Sequence, residues 1–230
     1  MDGAKESGVF EKGNVVDKRV YLAECGNYGR EQVEHAVHRI LEGFGGVKSF
    51  GVAGKKVLIK ANLLSANAPD RAVTTHPSVI SALASEFIAA GAEVTIADSP
   101  AGIYNAASLE KVYSISGMRR VAEDTGAKLN FSTGHRRIGC DGEKAKEFNI
   151  ITPVLEADFI ISAAKLKTHG LAYYTGAVKN LFGCVPGLDK AAMHSKFYNK
   201  TDFNGMLVDL CELIKPGFSV VDGVYGMEGP

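Results

Sequence analysis

The chain lacks any long apolar run. None of its hydrophobic stretches approaches the roughly 18 residues that a membrane-spanning helix needs. Its first residues, "MDGAKESGVFEKGNVVDKRV", contain no apolar segment of the signal-peptide kind. A membrane protein and an exported one are therefore unexpected, and a cytoplasmic location is expected. An excess of charge of one sign is missing too: 26 Lys plus Arg face 26 Asp plus Glu. General binders of nucleic acid or membrane surfaces carry a net positive field, so neither is expected as a partner. Cysteine is sparse. Cys25, Cys140, Cys184 and Cys211 are far apart and form no C-x-x-C pair. That excludes a local zinc or iron–sulfur motif and leaves reduced thiols as the expectation. No G-x-G-x-x-G follows the first strand candidate, and "ECGNYG" (24–29) is only vaguely of that type. No G-x-x-x-x-G-K-S/T is present either, so neither a dinucleotide nor a Walker-type nucleotide site is predicted.

What is present is an alternation. The 230 residues, 46% hydrophobic and 23% charged, suffice for one large domain with a real core. Residues 1–17 are polar and aperiodic and read as a flexible start. "RVYLAEC" (19–25) is a short apolar run. "REQVEHAVHRILEGFGG" (30–46) places Val33, Val37, Ile40, Leu41 and Phe44 at helical spacing. "KKVLIKANLL" (55–64) is strand-like. "THPSVISALASEFIAAG" (75–91) is a helix that Thr75 or His76 can cap, with Pro77 in its first turn. "AEVTIADSP" (92–100) is a strand, and 108–128 is helical with a break near Gly117. Residues 129–150 suggest a short strand and an excursion. "ADFIISAA" (157–164) is the most apolar strand candidate; a helix over 202–217 and the strand "FSVVDGV" (218–224) follow. Short apolar strands alternating with helices predict an α/β fold: a mostly parallel sheet with helices on both faces, doubly wound in the Rossmann-like manner. Residues 18–230 then form a single α/β domain. The strand and Gly-rich turn at "GVYGMEGP" suggest that this domain is truncated at its C-terminal end.

Four strand candidates end in polar residues: Lys60 and Asn62; Asp98 and Ser99; Lys165, Lys167, Thr168 and His169; and Asp222. Parallel strands bring their carboxyl ends to one edge, where open α/β sheets bind ligands. The densest stretch is "KLKTHGLAYYTGAVKNLFGC" (165–184). Lys165 and Lys167, two apart, point to one side of an extended chain. Thr168 can cap a following helix, with Leu171, Tyr174, Val178 and Leu181 as its apolar stripe and Thr175 and Lys179 on another face. Gly176 inside such a helix costs about 1 kcal/mol, which suggests close approach of another backbone or a ligand. A helix start flanked by lysines is an anion site. The alternative is a solvated cationic face.

His76 and His169 are candidate general acids or bases, or merely surface histidines. His194 reads as structural, as do His35 and His38. Cys184 is reactive if a cation lowers its pKa, and otherwise a small buried hydrophobe.

The segments "IKANLL", "VTTHPSVISAL", "ADSPAG", "AKLKTHGLAYYTGAVKNLFGCVPGLDKAAMH" and "VDGVYGMEGP" together resemble the DUF362 family over roughly residues 55–230. The resemblance implies a ferredoxin-like domain with two 4Fe–4S motifs following this region. This chain contains no such motif, so iron–sulfur clusters would belong to a missing C-terminal domain or to a ferredoxin-type partner. The family is also distantly similar to the N-terminal domain of the nickel-pincer lactate racemase. That similarity favours a small carboxylate ligand, with histidines moving protons or hydride.

Three readings stay open. In the first, the chain is an enzyme, an oxidoreductase or isomerase, acting on a small anionic metabolite, carboxylate or phosphate. Lys60, Asn62, Ser99, Lys165, Thr168, Lys179 and Asn180 hold the anion, and His76, His169 and Lys167 do the chemistry. In the second, the lysines form a non-catalytic anion-binding or electron-transfer docking scaffold. In the third, Asp98 and Asp222, which otherwise orient lysines, join His76 and His169 as metal ligands.

Overall fold

The computed structural model describes residues 19–229; the flexible start read over residues 1–17 lies outside them. Helix α1 (Arg30–Gly43) precedes β1 (Lys56–Ala61), α2 (Pro77–Ala89) and β2 (Glu93–Ala97). Then come α3 (Ala106–Ile115), α4 (Met118–Thr125) and β3 (Lys128–Leu129). The excursion is a hairpin, β4 (His135–Gly139) and β5 (Glu147–Ile151), followed by the single turn α5 (Thr152–Leu155). β6 (Phe159–His169), β7 (Tyr173–Thr175), α6 (Ala177–Asn180), α7 (Gly187–Lys196), α8 (Lys200–Ile214) and β8 (Phe218–Met227) complete the chain. The run 19–25 is neither helix nor strand.

The sheet is mostly parallel. β3, β2, β1, β6 and β8 lie side by side in that order, and only the short β7 runs antiparallel, against the far end of β6. Alternate residues of the strands feed two cores. Val57, Ile59, Ala61, Ile161 and Ala163 pack with α1, α2, α3 and α4. Leu58 and Ile160 pack on the opposite face with α8, β5 and α5. Both faces of the sheet are covered, which is why its strands read as continuous apolar runs.

Local chemistry sets the boundaries. The His76 side chain accepts from the Ser78 N–H and caps α2, and Pro77 occupies the first helical position. The break between α3 and α4 falls at Gly117, whose φ of 80° glycine adopts without strain.

One expectation fails here. The chain does not turn into a helix after Ala164. β6 runs on to His169, and Tyr173, at φ 59°, turns it back into β7. Helix begins only at Ala177 and lasts four residues, so the Leu171–Leu181 stripe is not a helical face. The helix-start anion site expected at Thr168 is absent with it.

The chain proceeds from β1 outward to β2 and β3, then returns past β1 to β6 and β8. The direction of winding therefore reverses between β1 and β6. In doubly wound sheets the ligand crevice opens at that reversal, beyond the carboxyl ends of the strands. Lys167 pairs with both Thr175 of β7 and Met227 of β8, while Ile161 pairs with both Ile59 of β1 and Phe218 of β8. β7 thus flanks β6 on the same side as β1, just past the point where β1 stops.

Candidate functional site

At the end of β1, Lys60 is 1% exposed and its Nζ lies 2.8 Å from Asp98 Oδ1 at the end of β2. The approach is ionic rather than a directed hydrogen bond, since Asp98 Oδ1 has no partner in hydrogen-bonding geometry. Asp98 Oδ2 accepts the Leu63 N–H at 2.7 Å. Gly183 packs directly on this pair. A Cβ there would fall on Asp98 Oδ1 and 2.6 Å from Lys60 Nζ, so only glycine fits without moving the two charges.

Asn180 ties the crest together. Its Oδ1 accepts from Lys60 Nζ at 3.0 Å and from Asn62 Nδ2 at 3.1 Å, and its Nδ2 donates to Lys60 O and to Ser162 Oγ. Asn62 Oδ1 in turn accepts from Lys167 Nζ at 2.7 Å. Along β1 and β6, Lys60 and Lys167 face opposite sides of the sheet. The two asparagines form a polar bridge over the end of β1 that joins them.

Lys165 enters a second cluster. Its Nζ is 3.0 Å from Asp222 Oδ2 and donates to the Tyr28 hydroxyl at 2.6 Å; that hydroxyl donates to Asp222 Oδ1 at 2.7 Å. The His76 N–H also donates to Asp222, and the His76 ring stacks on Tyr28 with centroids 3.6 Å apart and planes 7° from parallel. Burial lowers the pKa of His76 and that of Lys165, while burial and the bond to Asp222 push the Tyr28 phenol well up. Tyr28 is therefore a neutral donor. A cavity of about 510 Å³ lined by Tyr28, Asp70, His76 and Tyr225 adjoins this cluster.

Lys167, Lys179, His169 and His194 make the third group. Lys167 is 6% exposed and spends two of its donors on Asn62 Oδ1 and Val73 O. Lys179 Nζ lies over the rings of Phe182 and Phe203, 4.7 and 6.0 Å from their centroids. Among the described residues neither lysine has a carboxylate within ion-pair distance. The His169 and His194 rings are 6.2 Å apart and nearly parallel, and His194 stacks on Phe203 at 4.7 Å. His169 Nδ1 accepts from the Leu171 and Ala172 N–H groups, which puts its proton on Nε2. Burial, reinforced by neighbouring cations, lowers Lys167 to about 8, Lys179 to about 7 and His169 to about 4. His194 is lowered for the same reasons. Both imidazoles are neutral at pH 7.

The expected residues do not all meet. Lys60, Asn62, Asn180, Lys167, Lys179 and His169 share the crest at the β1–β6 reversal. His76 is not beside His169; it belongs to the Tyr28–Lys165–Asp222 cluster. Ser99 is a structural residue: its N–H donates to Gly183 O, and its carbonyl and hydroxyl both accept from Lys190. Thr168 is exposed, and its hydroxyl exchanges hydrogen bonds with Gly229 outside the crevice. Asp98 and Asp222 each hold a lysine. No three His, Cys, Asp or Glu side chains gather into a metal-binding group among the described residues. All four cysteines are free thiols, and burial pushes Cys184 up to about 12, so it is an inert core residue. These residues do not fit an iron–sulfur cluster.

Sequence reading missed Tyr28, Lys190, Thr175 and the association of His194 with His169. Lys190 reaches back across the crest to the carbonyls of Ser99, Pro100 and Val185. A Cβ at Gly176 would meet the hydroxyl end of the exposed Tyr174 side chain.

Fold and crest together define a doubly wound α/β protein with buried lysines at its topological reversal. The chain belongs to DUF362, a domain of unknown function, whose family model matches residues 57–230. It is 32% identical over 223 residues to a thylakoid-associated protein of Synechocystis sp., covering 92% of this chain and 65% of that one. In fold it is similar to the lactate racemase apoprotein of Thermoanaerobacterium thermosaccharolyticum, with a TM-score of 0.57 at 18% identity over 90% of this chain and 52% of that one. A Thermotoga maritima protein gives a TM-score of 0.51 at 14% identity, covering 87% and 52%. The chain thus spans about two thirds of that curated relative and about half of each of these structures. No helix among the described residues is long and apolar enough to cross a membrane.

Proposed function

We propose that this chain binds a small anionic metabolite, a carboxylate or a phosphate, in the crevice between the carboxyl ends of β1 and β6, as part of an oxidoreductase or isomerase. The observation that carries this reading is the pair Lys167 and Lys179: one lysine buried at the crest and one half-buried against Phe182 and Phe203, neither with a carboxylate partner among the described residues. Desolvating an ammonium group is costly unless a counter-charge arrives, and an anion supplies it. Asn62 and Asn180 fix the lysine heads; Lys60 and Lys165, already neutralised by Asp98 and Asp222, shape the floor. His169, neutral and bearing its proton on Nε2, moves a proton to or from the ligand. A bound anion stabilises its imidazolium and raises its pKa from about 4 toward the working range. The likeness to lactate racemase agrees with a small carboxylate but, at 18% identity, supports only the fold. Iron–sulfur electron transfer, with its clusters outside this chain, and a cytoplasmic location remain part of the proposal.

The docking-scaffold reading is less well supported, because a docking patch presents its lysines to a partner and Lys60, Lys165 and Lys167 are buried. The test is a thermal-shift screen of small carboxylates and phosphates against the parent, Lys167→Ala and His169→Gln. A ligand that stabilises the parent and His169→Gln but not Lys167→Ala supports the proposal. Equal stabilisation of all three overturns it.

A further inference from the structure

The crest lysines differ in how they are neutralised. Lys60 is matched by Asp98 and Lys165 by Asp222. Lys190 is saturated by the oxygens of Ser99, Pro100 and Val185 and faces the end of β2. Two ammonium groups remain, Lys167 and Lys179. Beside them are buried hydroxyls without a hydrogen-bond partner. Thr175 stands directly opposite Lys167 in the β6–β7 pairing, so the two side chains lie on one face with their Cβ atoms about 5 Å apart. Thr175 is 2% exposed and its hydroxyl has no hydrogen-bond partner. Thr74, next to the Val73 carbonyl that holds Lys167, is 0% exposed and its hydroxyl is likewise unpartnered. Buried hydroxyls left without partners are rare and point to an absent group.

We infer that the anion of the crest is a dianion, a phosphate or dicarboxylate head, held by Lys167 and Lys179 with Thr175 as an added donor, and not a monocarboxylate. The inference rests on the anion reading above and narrows it by charge count. A monoanion matches only one of the two groups, whereas a dianion matches buried Lys167 and half-buried Lys179 when both are protonated. It also requires protons. Lys179 is faced by Lys167, Lys190 and Lys60, all of which lower its pKa, with Asp98 opposing them and His169 and His194 nearby. At pH 8 much of Lys179 is deprotonated, so a dianion that restores its charge binds with proton uptake.

The test is isothermal titration of the full chain at pH 8 with inorganic phosphate, malonate and acetate, in low-chloride buffers of two ionisation enthalpies. Phosphate or malonate is expected to bind at least tenfold more tightly than acetate, with net proton uptake. The tighter of the two identifies the head group. Lys179→Met, checked by circular dichroism, is expected to lose that tenfold preference, and the near-isosteric Thr175→Val to lose affinity several-fold with the fold intact. If acetate binds as tightly as both dianions, or binding takes up no proton, the dianion is overturned while the anion reading stands. If folded Lys179→Met keeps the parent's preference, the assignment of Lys179 is overturned. If none of the three probes binds, both readings fall.

Discussion

The ammonium of Lys165 and the carboxylate of Asp222 stand 3.0 Å apart where both side chains are 0% exposed. Asp222 also takes the Tyr28 hydroxyl and the His76 N–H, so one carboxylate fastens β8, β6, the loop before α1 and the start of α2. Removing one member of a buried ion pair leaves the other charged and unmatched, at a cost of about 3–5 kcal/mol. Asp222→Ala is therefore expected to lower unfolding stability by about that much, read by urea denaturation. The double replacement Lys165→Met with Asp222→Leu should recover only part of the loss, because it removes the unmatched charge but still strands the Tyr28 hydroxyl and the His76 N–H that Asp222 accepts.

The crest network allows a second prediction. Asn180 makes four side-chain hydrogen bonds, to Lys60 Nζ, Lys60 O, Asn62 Nδ2 and Ser162 Oγ. Asn180→Ala strands several buried polar groups, each costing about 1–3 kcal/mol. Part of that is offset by relaxation, and a net loss of about 2–4 kcal/mol is expected. Because Asn62 then no longer fixes Lys167, the variant should also bind the anion more weakly even under conditions where it stays folded. Denaturation and ligand titration on the same sample separate the two effects.

Gly183 provides a purely steric probe. Its φ is ordinary, so backbone strain plays no part; the obstacle is the Lys60–Asp98 pair on which a Cβ would land. Gly183→Ala is expected to push the pair apart and destabilise by about 1–3 kcal/mol, as overpacking does. Gly170, where a Cβ meets nothing within 4 Å, is the control: Gly170→Ala should leave the melting temperature nearly unchanged.

Much of this was legible in the sequence, and the reason is specific. The apolar runs around Leu58, Ile96 and Ile161 are buried on both faces, so they announce a parallel sheet, and polar residues at their ends mark its crest. Lys60, Lys165, Lys167 and Asp222 were found that way. The course after Ala164 was not legible, because Leu171, Tyr174, Val178 and Leu181 fall at helical spacing by coincidence. The turn that defeats that pattern depends on Tyr173 adopting a positive φ, which no turn residue advertises. Tyr28 was missed because it lies in a loop and meets Asp222 across 194 residues of chain. Lys190 carries no pattern in the sequence that marks it, and only the packing of α7 across the end of β2 reveals its oxygen cage. His76 and His169 are both candidate proton movers in the sequence, His169 the favoured one for its lysine neighbours, and tertiary placement puts them in different clusters.

The depressed titrations make the last prediction, which concerns pH. Lys167, Lys179 and Lys190 are lowered to about 8, 7 and 8 by burial and mutual repulsion, whereas unfolded lysine titrates near 10.4. Between pH 7 and about 9 these three lysines bind more protons in the unfolded chain than in the folded one, so they make stability rise with pH across that window, outweighing the opposite contribution of Cys184 and Tyr28, which burial pushes up. Below it, His169, lowered to about 4, acts in the same direction: stability falls as pH drops from about 6.5 toward 4, where the unfolded imidazole is charged and the folded one is not. Lys60, Asp98 and His194 face the same space, so the slopes belong to the cluster rather than to any one group. Without ligand, the protein is expected to melt at higher temperature at pH 9 than at pH 7, against the usual decline of globular proteins in mild alkali. Saturating dianion should flatten that rise, because bound anion keeps Lys167 and Lys179 charged in the folded state. Lys179→Met should also flatten it, by removing one of the titrating groups. A melting temperature that falls from pH 7 to pH 9 in the parent would mean that the crest lysines keep ordinary affinities for protons, and that no charge deficit awaits an anion there.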